Sequence, residues 1–147
     1  QVMNKNDIST LIQFNFWAND RILATCERIS ADEFTHLHTP DPSWGSLRGI
    51  LVHILVAHRV WRRRCWVSEG LEHWLTDEEF PDFASFAQAL RAEEAAWHSC
   101  LEEMSEPDVQ REVVYQTNRG DTCRTPFWQI LLHLVLQWSA MLKCQGV

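Results

Sequence analysis

Thr125-Pro126-Phe127-Trp128-Gln129-Ile130-Leu131-Leu132-His133-Leu134-Val135-Leu136-Gln137-Trp138-Ser139-Ala140-Met141-Leu142-Lys143-Cys144 is the stretch that decides the fold. Thr125 as an N-cap with Pro126 at the first helical position makes a strong helix start, and the residues that follow are apolar almost all the way round. At about 100° per residue, His133, Gln137, Met141 and Cys144 fall within about 80° of one another, so the spacing turns them toward one space. A helix this apolar has to be covered on every side. It calls for a bundle around it, and for a partner chain or a very large internal contact.

Three further long helices are predicted ahead of it. Asn6 or Asp7 can cap the first, running to about Ile29, with Ile8, Leu11, Ile12, Trp17, Ile22 and Cys26 as its apolar stripe. Ser30-Ala31-Asp32-Glu33 is a capping box that opens a short turn of helix. Pro40 and Pro42 forbid helix until Ser43 to Ser46, and Ser46 can cap a second long helix from about Leu47 to Trp66. The connection from Val67 to Phe80 carries a small N-cap signal, Thr76-Asp77-Glu78-Glu79. Asp82 opens an Ala- and Glu-rich third helix to about Met104, which Pro107 stops. Arg111 to Gln116 alternates and is followed by Asn118-Arg119-Gly120-Asp121, the pattern of a short hairpin. The expectation is an all-α protein, a single four-helix bundle forming one domain over residues 1–147, with long connections and a small hairpin before the last helix.

Composition narrows the function. The 147 residues are 46% hydrophobic, enough for one continuous core. No run approaches the ~20 apolar residues of a membrane span, and no leader-like segment opens the chain, so the reading is a soluble cytoplasmic protein with no membrane partner. Thirteen basic against twenty acidic side chains give a net charge of -7, which argues against nucleic acid. The one basic cluster, Arg59 and Arg62 to Arg64, reads as a solvated helix face. Five cysteines, 26, 65, 100, 123 and 144, match neither a zinc pattern nor a secreted disulfide frame, and so read as free thiols.

Three segments together resemble the DinB/YfiT-like family of four-helix-bundle metalloenzymes. They are Phe14-Asn15-Phe16-Trp17-Ala18-Asn19-Asp20-Arg21, then Ser43-Trp44-Gly45-Ser46-Leu47-Arg48-Gly49-Ile50-Leu51-Val52-His53-Ile54-Leu55, then Pro126-Phe127-Trp128-Gln129-Ile130-Leu131-Leu132-His133. The resemblance implies a divalent metal, Zn or Ni, held by one His of the second long helix and two His, four apart, of the last. It also implies thiol-dependent transferase or isomerase chemistry. Carried over residue by residue, it places His53 at the first of these positions but Gln137 and Met141 at the other two. The family's Asn-His-Gly-Thr-x-His-Arg-Gly-Gln run reads Leu136-Gln137-Trp138-Ser139-Ala140-Met141-Leu142-Lys143-Cys144. An amide oxygen and a thioether are poor replacements for imidazoles, because Zn²⁺ and Ni²⁺ prefer nitrogen or thiolate donors.

No substitute site is apparent in the spacing. His133 and Cys144 could join His53 in a His/His/Cys set, but eleven residues of helix separate the two by about 16 Å, too far for one ion. His53 then reads as a buried His bonded to a neighbour, and His58, about 140° further round, as exposed. Two nucleophiles are candidates. Cys144 with a His such as His133 as base would give thiolate chemistry, while Lys143, one of two lysines, would form imines if desolvated. The bland alternatives are a small buried Cys and a Lys that complements the helix C-terminus. Of the eight tryptophans, Trp17, Trp61 and Trp97 read as core. Trp138 stands where the family has Gly, so it fills a vacated metal cavity, packs on a second subunit, or stacks on a ligand.

The sequence therefore supports a bundle without a cofactor, in which the metal site has become an apolar small-molecule pocket or a protein-interaction surface. Trp17, His53, Gln137, Trp138 and Met141 would line it for a small aromatic or apolar ligand, or for a homodimer through the last helix. The concentration of departures on that one helix fits a natural scaffold rebuilt by design or selection, the alternative being a divergent natural chain whose metal site has decayed. The alternatives are a metal-independent enzyme using Cys144 or Lys143, and a residual metal-dependent thiol transferase using His53.

Overall fold

The structure is a computed structural model and describes residues 3–36, 45–67, 73–117 and 119–143, with side chains as far as Leu136. Each helix is set by its cap. Asn4 and Asp7 exchange side-chain-to-backbone bonds of 3.0 and 2.9 Å and start α1 (Lys5–Cys26). The cap lies ahead of Asn6 because Asp7 serves as the third-position partner instead. The helix also stops short of Ile29, since Ser30 is already capping α2 (Ala31–His36) through Glu33. Ser46 accepts from the Gly49 N–H and opens α3 (Leu47–Arg62), whose expected last turn is π-helical, Arg63–Val67. A 3₁₀ turn (Asp77–Glu79) follows, and Asp82 caps α4 (Phe83–Glu103).

Two expectations at the end of α4 change. Pro107 does not merely stop a helix; it sits in the first turn of a new one, α5 (Glu106–Gln110), where a missing N–H costs nothing. The hairpin forms as expected, β1 (Glu112–Gln116) against β2 (Thr122–Pro126), with Gly120 at φ 87 in its turn. Thr125 and Pro126 belong to that strand, not to a helix cap. Thr125 pairs with Val113, Pro126 ends the ladder opposite Glu112, and α6 (Phe127–Lys143) leaves directly from it.

The four long helices run up, down, down, up. Asn19 bonded to Glu94 and Phe16 against His98 set α1 antiparallel to α4, while Arg62 bonded to Glu93, with Leu51 and Leu55 packed among Phe86 and Leu90, sets α3 parallel to α4. α1 and α6 both start at the α5 end, where the Lys5 N–H meets Glu106 and α5 packs against both. Apolar side chains gather in two clusters, one around Ile12, Trp97 and Leu131, the other around Phe34, Leu55 and Leu90.

The chain is thus an all-α bundle carrying one two-stranded hairpin. Trp17 is not core: it is 54% exposed and lies near Phe14, because the buried line of α1 passes through Ile12, Asn15, Phe16 and Asn19, about 150° away round the helix. His58 is not exposed but 3% accessible, because α3 packs on α2, α4 and α6 and so buries a wide face. Nor does this chain cover its last helix all round, since Leu136 is 54% exposed. The described cysteines, 26, 65, 100 and 123, are free as expected.

Candidate functional site

His53 is half-buried on α3, and burial holds its pKa below the usual imidazole range, so the ring is neutral at pH 7. The core stripe of α6 is Phe127, Ile130, Leu131 and Leu134; His133 lies off that stripe and is exposed. The proposed common face of His133 with residues 137 and 141 therefore does not open on the interior at its first member. Gln137, Trp138, Met141 and Lys143 stand on the helical backbone of α6, with side chains outside the described set, and Cys144 lies outside the described residues altogether. Trp17, facing solvent, is not brought to His53.

The donor chemistry does not fit a metal of the zinc type. One imidazole, one carboxamide and one thioether offer a single good ligand where tetrahedral sites need three or four. Among the described residues, no group of three His, Cys, Asp or Glu side chains is placed to hold an ion. The three buried thiols, Cys26, Cys65 and Cys100, are also poorly suited to nucleophilic chemistry. Burial raises Cys26 and Cys100 above the free thiol, and pushes Cys65 up to about 12 against the pull of Arg111 and Arg64.

Between the two apolar clusters lies a polar layer that the sequence reading missed. Asn15, Asn19, His58, Glu93 and Glu94 are all at most 6% exposed. The Asn19 amide donates to Glu94 at 2.5 Å, and Arg62 grips Glu93 through two bonds of 2.5 and 3.0 Å. Arg62 is thus a half-buried ion-pair partner of a buried carboxylate, not a solvated side chain. Desolvation raises the Glu94 pKa against the opposing bonds from Asn19 and Arg91. The same effect lowers His58 to about 4. Asn15 Nδ2, Asn19 Oδ1 and Trp97 Nε1, in the same layer, are buried and find no hydrogen-bond partner among the described residues. The signal was present: Asn15 and Asn19 fall in phase with Ile12 and Leu23, and Glu93 and Glu94 sit between Leu90 and Trp97.

Two cavities border α3. One, of about 430 Å³, lies over α4 between Arg59, Arg62, Phe80 and Glu93. The other, of about 530 Å³, lies at the α3 end against the hairpin.

Two parallel pairs of long helices, α1 with α6 and α3 with α4, run opposite to each other with a hairpin before the last, and together define a class of bundle. The model of the DinB family matches residues 3–136, and the chain belongs to that family. The match ends at Leu136, immediately before Gln137. No curated protein matches the chain. No described helix is long and apolar enough to cross a membrane.

Proposed function

We propose that this chain is a DinB-family bundle whose last helix serves as an apolar contact surface for a second copy of the chain, in place of a metal centre. The observation that carries this is Leu136, 54% exposed in the last turn before Gln137 and Met141, the two positions where the family resemblance calls for histidine. The parallel neighbour α1 adds Phe14, 57% exposed, and Trp17, their rings 5.5 Å apart. Counted from the shared α5 end at about 1.5 Å per residue, Phe14, Trp17 and Leu136 lie at similar heights. A contiguous exposed apolar patch marks a contact surface, and the proposal is that these three side chains belong to one. The clustering of the departures on α6 supports an origin by redesign or selection of a natural scaffold.

The test is sedimentation over a concentration series. The parent chain is expected to dimerise, and Leu136→Asp with Trp138→Asp is expected to sediment as a monomer of unchanged helicity. A parent that is monomeric at every concentration overturns the reading.

A further inference from the structure

The cavity between the α3 end and the hairpin has features that the contact surface does not use. Trp61 and Tyr115 meet edge to face, their centroids 5.0 Å apart at 84°, and form an aromatic corner. The Arg64 guanidinium stands in that corner, 5.5 Å from the Trp61 centroid and 5.8 Å from that of Tyr115. It is carried by the π-helical turn, an irregularity often found at functional sites. Arg111 braces that turn from below by donating to the Cys65 carbonyl while lying over the Phe127 ring.

Arg62, Arg91, Arg111 and Arg124 all pair with carboxylates, as expected in a chain of net charge -7. Arg64 and Arg119, which both line this cavity, make no ion pair among the described residues. A guanidinium lying over rings can keep its N–H edge available for a bidentate acceptor. Asp121 shares the rim and is ion-paired with neither arginine. Two cations and one anion leave a local charge of about +1, which matches a monoanion better than a dianion. The volume, about 530 Å³, falls in the range of small-ligand sites.

We infer that this cleft binds a small aromatic carboxylate: the carboxylate takes the N–H groups of Arg64 and Arg119, and the ring lies against Tyr115 and Trp61. Calorimetry and amide-shift mapping on the full chain test it with four probes: benzoate, its neutral analogue benzamide, the ringless acetate, and the dianionic phenyl phosphate. Benzoate is expected to bind with shifts confined to Trp61, Arg64, Tyr115 and the hairpin turn, and each other probe to bind at least about tenfold more weakly. Arg64→Gln and Arg119→Gln should each cost about tenfold, with Arg64→Lys intermediate because it keeps the charge and loses the fork. Among the described residues Arg119 stacks on no ring, so its variant separates ligand contact from loss of the aromatic packing. Absence of benzoate binding at 10 mM (about thirtyfold above a weak ~0.3 mM affinity), shifts elsewhere, or benzoate no tighter than acetate, benzamide or phenyl phosphate overturns the inference. So does benzoate affinity unchanged in both Gln variants.

Discussion

Arg62 and Glu93 show what single residues contribute in this fold. Both side chains are largely buried and joined by two bonds, so removing one partner leaves the other as an uncompensated interior charge. Arg62→Ala should therefore destabilise the protein by about 3–5 kcal/mol, whereas replacing both residues by Leu should cost much less. Urea denaturation of the two single variants and the double variant decides this. Trp97 and Trp17 make a second contrast. Trp97→Ala, at 1% exposure, should cost about 3–5 kcal/mol, and Trp17→Ala, more than half exposed, about 0.5 kcal/mol. Equal losses would restore Trp17 to the core.

His58 gives the pH dependence. Its folded pKa, about 4, lies below the unfolded value of about 6.5, so between these pH values the unfolded chain binds more protons. Its contribution is complete above the unfolded value and falls away as the pH drops toward 4, by at most about 3 kcal/mol. Glu94 acts the other way: its pKa is raised by burial, so its contribution is present in acid and lost as the pH rises through the folded value. His58→Gln should flatten the loss of stability between pH 7 and pH 5. An unchanged slope in urea midpoints would show that His58 does not titrate with folding.

At the scale of elements, the caps were the most legible feature. Ser30, Ser46, Thr76 and Asp82 all open the helices or turns expected of them, because a cap needs only the residue and the one three positions on. Ser46→Ala should accordingly cost about 1 kcal/mol by thermal or urea unfolding, and no measurable loss would mean that packing alone fixes the α3 start. Longer-range choices were not legible. Thr125-Pro126 carries the local signature of a helix start, but Val113 and Glu112, more than ten residues away, claim both residues for the strand. Trp17 and His58 were misplaced for the same reason: apolar periodicity gives a stripe, while its width depends on how many neighbours the helix has. The polar layer was readable in phase and overlooked, because buried charges are inferred from pairs, and Arg62 and Glu93 are 31 residues apart.

For the whole molecule, helix patterning was enough to reach a four-helix bundle, the resemblance of three segments pointed to the DinB family, and the family match confirms that assignment over residues 3–136. For the candidate site, the sequence offers only what the resemblance implies, His where Gln137 and Met141 stand. What this end of the bundle does was not legible, because the meaning of an exposed Leu136 depends on what lies against it. Whether the scaffold persists without a three-histidine centre is decided by elemental analysis and metal titration of the parent beside Gln137→His with Met141→His, with and without Trp138→Gly. The parent should hold no stoichiometric Zn²⁺ or Ni²⁺ and a restored variant about one ion per chain, since positions one helical turn apart can share an ion with His53. Restored chains should also gain about 2.7 kcal/mol at metal a hundredfold above the dissociation constant. A parent that already holds about one ion per chain, lost on His53→Ala, would contradict it.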